Sequence, residues 1–91
     1  MMTEEEKKAV EKLNEQMSFP SEYIFKFIVP NDQDKVNHIY ALFDQETAII
    51  THRLSKTERF YSFTIKELML DAESIIEKYK LAKNVEGIVS L

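Results

Sequence analysis

The order in which hydrophobic periodicities succeed one another constrains this chain more than any other feature. A period-two run opens at Tyr23-Ile-Phe-Lys-Phe-Ile-Val29. A stripe with helical spacing follows, then two strand-like runs joined by a short polar turn, then a second helical stripe and a terminal strand. In order this reads β-α-β-β-α-β. It predicts an α+β domain in which a four-stranded antiparallel sheet carries both helices on one face, because right-handed crossovers place them together.

The first strand spans Tyr23 to Val29, and Pro30-Asn31-Asp32 ends it and caps the next helix. That helix runs from Asp32 to Phe43 with Val36, Ile39, Tyr40 and Phe43 as its apolar stripe. The second strand covers Ala48 to Leu54, Ser55-Lys-Thr-Glu58 turns the chain, and the third strand runs from Arg59 to Leu68. Asp71 caps the second helix, whose stripe is Ala72, Ile75, Ile76, Tyr79 and Ala82. Val85 to Leu91 reads as the closing strand. Ahead of this domain (19–91) lies an extension (1–18) whose residues 3–17 read as a helix capped by Thr3, with Glu4, Glu5 and Glu6 at the positive end of its dipole. Its stripe of Val10, Leu13 and Met17 is thin, so it is either a solvated arm or a strap laid on the domain or on a second copy.

Lys26 decides which way the pleats point, since an unpaired buried ammonium is costly. Tyr23, Phe25, Phe27 and Val29 therefore face the helices, with Tyr61, Phe63 and Ile65 of the third strand. The open face is left with Ile24, Lys26 and Ile28 beside Phe60, Ser62, Thr64 and Lys66. That mixture of apolar ends and a hydroxyl and ammonium middle is predicted to contact something, because contiguous exposed apolar groups mark interaction surfaces.

Composition removes several function classes. The 91 residues suffice for one domain, and 16 acidic against 12 basic residues give a net charge of −4, which disfavours general nucleic-acid or anionic-membrane binding. Cysteine is absent, so no disulfide framework or thiol nucleophile is available, which suits a cytoplasmic setting. No apolar run approaches the roughly 18 residues of a membrane span, and Thr3-Glu-Glu-Glu-Lys-Lys8 lacks the apolar stretch of a signal peptide. His38 and His52 are the only imidazoles and fall on different elements, so no metal or other cofactor is expected. Ser62 and Thr64 could serve as nucleophiles only with a desolvated base and an oxyanion hole, which a sheet face does not offer, so no catalytic residue is assigned. Arg59-Phe-Tyr-Ser-Phe-Thr-Ile65 faintly echoes the third-strand motif of RNA-recognition domains, but the glycine is missing and Lys66 takes the last aromatic place.

Phe19-Pro20, Tyr23 and Lys26 in the first strand, Ser55-Lys56 in the turn and Phe60-x-Ser62 in the third strand resemble the YbeD-like family of small bacterial proteins of unknown function. The likeness covers about residues 19–91. The family's turn normally contains a glycine, where this chain has Thr57-Glu58. The resemblance implies a ferredoxin-like fold similar to that of the ACT domains, which bind amino acids near the first strand–helix loop. Here that loop is Val29-Pro-Asn-Asp32, without the glycine that often lets the ligand approach. The expected function is a non-enzymatic regulatory or adaptor module working through Ile24, Lys26, Ile28, Phe60, Ser62 and Thr64. Its expected partner is a second copy or another protein, not nucleic acid or a membrane. The alternative is an ACT-like sensor of an amino acid or carboxylate, with Lys26, His52, Ser62 and Thr64 as the polar groups.

Overall fold

Two ten-residue strands, β1 (Ser21–Pro30) and β3 (Phe60–Met69), run antiparallel through the centre of the molecule, paired along their whole length from Ser21 opposite Met69 to Pro30 opposite Phe60. The computed structural model describes residues 1–91. Around that ribbon the chain adds α1 (Glu4–Gln16), α2 (Gln33–Ala41), β2 (Ile49–Leu54), α3 (Ala72–Ala82) and β4 (Val89–Ser90). The sheet order is β2-β3-β1-β4 with every pairing antiparallel, and the order of elements after α1 is consistent with a ferredoxin-like fold. No helix is long and apolar enough to cross a membrane.

Period-two alternation does the sorting that the sequence predicts. Phe25, Phe27 and Val29 of β1 and Phe63 and Ile65 of β3 are fully buried, together with Ile39 of α2 and Ile75 of α3. One core therefore lies between a single sheet face and both helices. Phe25 is its hub, with ring centroids of Tyr23, Phe43 and Tyr79 at 4.8, 5.2 and 5.3 Å. The Tyr23 and Tyr79 hydroxyls share a hydrogen bond of 2.9 Å, and burial first, then that bond, pushes the Tyr79 phenol far above its ordinary range. Lys78 does not serve its own helix end. It donates to the Leu42 carbonyl just past α2 and lies 4.9 Å above the Phe43 ring, tying the two helices together.

The leading helix is a strap on the domain. It packs against α3 on the helical layer, Leu13 reaches the core, and Lys80 of α3 meets Glu6 at 3.6 Å. Its start is a capping box in which Thr3 and Glu6 satisfy each other's backbone N–H. Asp71 caps α3 by accepting from both the Ser74 hydroxyl (2.6 Å) and the Ser74 N–H (2.7 Å). These bonds hold the Asp71 carboxyl below its ordinary 3.8, and the Thr3 N–H holds Glu6 below 4.5. A carboxyl depressed by folding contributes stability that is present above its unfolded value and lost as pH falls through the folded one. Thermal stability should thus hold from neutrality down to the mid-fours and then drop. Asp71→Ser, which keeps a cap but cannot titrate in this range, should flatten part of that drop in a series of melting curves; an unchanged acid limb would contradict it.

Several boundaries differ from the sequence reading: β1 runs from Ser21 to Pro30 rather than Tyr23 to Val29, and β3 from Phe60 to Met69 rather than Arg59 to Leu68. The closing strand is two residues, not Val85–Leu91. Val85 is buried in the core, its N–H bonded to the Ala82 carbonyl, and Gly87 turns the chain at φ 83° before Val89 can pair with Ile28. A Cβ at Gly87 would stand 2.9 Å from the Pro30 ring, so side chain and backbone both require glycine there. The helix predicted to reach Phe43 ends at Ala41, and β2 starts at Ile49 rather than Ala48.

In the β2–β3 turn, Glu58 adopts the left-handed conformation at φ 61°. Its carbonyl accepts from the Asn31 side chain at 2.8 Å, which a glycine would preserve. Left-handed backbone costs a side-chain-bearing residue about 1–2 kcal/mol, partly offset by the extra freedom glycine gives the unfolded chain. Glu58→Gly should therefore raise stability by about 0.5–1 kcal/mol, seen as a higher urea midpoint at unchanged slope. A lower midpoint would refute the strain.

Candidate functional site

The site follows from strand register. On the face away from the helices, Thr51 of β2, Thr64 of β3 and Lys26 of β1 form one cross-strand row. The adjacent row is Arg53, Ser62, Ile28 and, on β4, Val89. On the other side lie Ile49, Lys66 and Ile24, then Leu68 opposite Glu22. Phe60 opposite Pro30 closes the remaining end.

The outcome is a polar centre inside an apolar ring. Ile24, Ile49, Phe60, Leu68 and Val89, five of the nine exposed large apolar side chains, lie here with exposures from 41% (Phe60) to 61% (Ile49). Strand α-carbons stand about 4.8 Å apart, so the ring encloses a surface some tens of ångströms around rather than a point. Between its members, Thr51, Arg53, Ser62 and Thr64, with the His52 backbone between the two β2 side chains, line an open concavity of about 280 Å³. Thr51 Oγ1 lies 3.5 Å from the Thr64 carbonyl, at the limit of a hydrogen bond. Lys66 pairs with Glu22 at 3.5 Å, whereas neither Lys26 nor Arg53 takes part in an ion pair.

A model of the family described as Protein of unknown function (DUF493) matches residues 14–90. The chain belongs to that family. The YbeD-like resemblance is consistent with it. The DUF493 match starts near the end of α1 and spans β1, α2, β2, β3, α3 and β4, so it takes in the whole open face. No curated protein and no solved structure matches the chain.

In this DUF493 member the six residues named from the sequence, Ile24, Lys26, Ile28, Phe60, Ser62 and Thr64, share the open face. His52 does not join them. It sits opposite Phe63 on the covered side, its Nδ1 2.7 Å from the Tyr40 hydroxyl and its ring 5.4 Å from that of Phe63. The set of Lys26, His52, Ser62 and Thr64 is thus split between two faces. Arg53 and Thr51 take the place expected of His52, and sequence reading missed both. The signal that could have found them is the register of the turn: Ser55 N–H bonds to the Phe60 carbonyl, which pairs odd residues of β2 with even residues of β3. The β1–α2 loop is also closed by its own bonds. Asn31 N–H bonds to the Arg59 carbonyl, and the Asp32 carboxylate accepts from the Asp34 and Lys35 N–H groups.

Proposed function

We propose that this protein is a non-enzymatic binding module, an adaptor or regulator that docks another protein on the open face of its sheet. The observation that carries the reading is the ring of Ile24, Ile49, Phe60, Leu68 and Val89. Five half-exposed apolar side chains on a single face are an unusual load for so small a domain, and such patches are the ones that proteins cover. The α1 strap does not cover them, since it lies on α3 across the core. Backbone pairing along ten residues of β1 and β3 makes the face a rigid platform, which lowers the ordering cost of association.

The charge of the face favours a different protein over a second copy. Two copies docked face to face would bring the unpaired Lys26 and Arg53 of each against those of the other, and like charges across an interface oppose association. An ACT-like sensor of free amino acids has less support, because the β1–α2 loop has spent its polar groups on the fold and His52 faces the other way.

The test is to select short peptides from a phage-displayed random library on the folded domain and map their binding by amide chemical shifts. Shifts confined to β1, β2 and β3 residues of the open face, lost in Phe60→Asp, support the reading. Peptides that bind along α1 and α3, or that ignore Phe60→Asp, overturn it.

A further inference from the structure

The partner's own chemistry is written in the polar centre. The chain carries −4 overall, yet the open face holds Lys26, Arg53 and Lys66 against Glu22 alone, a balance of +2. All other surfaces together therefore sum to −6. A cationic face on an acidic molecule thus coincides with the face that carries five of the nine exposed large apolar side chains. Lys66 is answered by Glu22 at 3.5 Å, so the cations left without a counter-charge are Lys26 and Arg53.

Those two stand at either side of the central rows. Lys26 closes the row of Thr51 and Thr64, and Arg53 opens the next beside Ser62. Two strand spacings and a two-residue offset along the strands separate their backbones, about 12 Å, and each side chain is long enough to cover roughly half that distance toward a common point over Ser62 and Thr64. Arg53 and the hydroxyls of Thr51, Ser62 and Thr64 line a concavity of about 280 Å³, and with Lys26 on the neighbouring strand opposite Thr64 they match the fork of a carboxylate. A free inorganic anion would use only this centre and leave the surrounding Ile24, Ile49, Phe60, Leu68 and Val89 wet. An anionic lipid surface would attract the +2 of this face but would be opposed by the net charge of −4 on the whole molecule. A peptide with an acidic residue among apolar ones uses both the centre and the ring.

We propose that Lys26 and Arg53, with Ser62 and Thr64, form the receptor for a carboxylate side chain on an apolar docking segment of the partner protein. This rests on the docking role of the open face and adds the segment's charge pattern. Electrostatic attraction at such a site sets specificity and encounter rate, while the apolar ring holds the complex.

Charge reversal tests it with the same displayed peptide library. Peptides enriched on the wild-type domain should carry Asp or Glu flanked by large apolar residues, and their dissociation constants should rise with salt. The double variant Lys26→Glu/Arg53→Glu should bind those peptides at least about tenfold more weakly and should enrich peptides with Lys or Arg at the matching place. Lys26→Gln/Arg53→Gln should weaken binding without the reversal, and melting curves of both variants confirm that the sheet is intact. If the enriched peptides are neutral or basic, or if acidic ones bind the double variant equally, the carboxylate receptor is wrong. Loss in Phe60→Asp alongside indifference to charge reversal removes this inference and leaves the docking face standing. Failure to enrich any peptide, or sedimentation of the domain with phosphatidylserine vesicles in its place, removes both.

Discussion

Phe25→Ala should bring this domain close to unfolding at physiological temperature. The side chain is fully buried at the point where β1, α3 and the end of α2 meet, in contact with Tyr23, Phe43 and Tyr79. Removing a buried phenyl ring costs about 3–5 kcal/mol, since the transfer energy of the ring is lost and the cavity only partly collapses. Neighbouring rings cannot close that cavity cheaply. Tyr23 and Tyr79 are tied to each other through their hydroxyls, and Phe43 is held beneath the Lys78 ammonium. A domain of this size has about 5–14 kcal/mol in total, so the loss is a large fraction and should lower Tm by about 15–30 °C. Ile24→Ala, one residue away on the opposite face, is the matched control and should change stability by less than about 1 kcal/mol. Similar losses at the two positions would mean that both sides of β1 are packed, and the open face would cease to be a free surface.

That one substitution pair tests the part of the fold most legible in the sequence. In β1, a single lysine between phenylalanines forces the phase, because the cost of burying an unpaired ammonium exceeds any gain from burying Ile24 and Ile28 beside it. In β3, the alternation of Tyr61, Phe63 and Ile65 with Ser62, Thr64 and Lys66 is equally unambiguous. The strand β2 carries no such marker. Ile49 and Ile50 are adjacent, so either phase buries one isoleucine and exposes the other. The choice falls to the turn: with Ser55 paired to Phe60, Ile50 opposes Ile65 and Ile49 opposes Lys66. A turn one residue shorter would exchange His52 for Arg53 on the open face, since a slip of one residue moves every side chain across the sheet. For this reason the cation that completes the polar centre escaped a reading by periodicity, while Lys26, Ser62 and Thr64 did not. The brevity of β4 was hidden for a related reason. Val85 and Ile88 read as strand residues but are apolar because they are held by the core after a turn, not because they alternate.

Phe60→Asp should separate docking from folding. Phe60 stands at the end of the open face opposite Pro30, 41% exposed, with its N–H bonded to the Ser55 hydroxyl at 3.2 Å, a bond that any side chain at the position leaves intact. The free domain should therefore keep its stability to within about 1 kcal/mol. A covered aromatic anchor, in contrast, typically contributes about 2 kcal/mol or more to association, so peptides bound to the open face should lose about thirtyfold or more in affinity. Aspartate adds a second effect, since it sets a carboxylate near the place where an acidic residue of the peptide is to sit. Phe60→Asn removes the ring without the charge and should retain part of the affinity lost in Phe60→Asp, with the difference between the two shrinking as salt screens it. Phe63→Asp, three positions along on the covered face and fully buried, should unfold the domain instead. Calorimetric titration and melting curves on these three variants give a direct reading: affinity lost with Tm unchanged at Phe60 supports an exposed docking anchor, and equal affinity in wild type and Phe60→Asp rejects it.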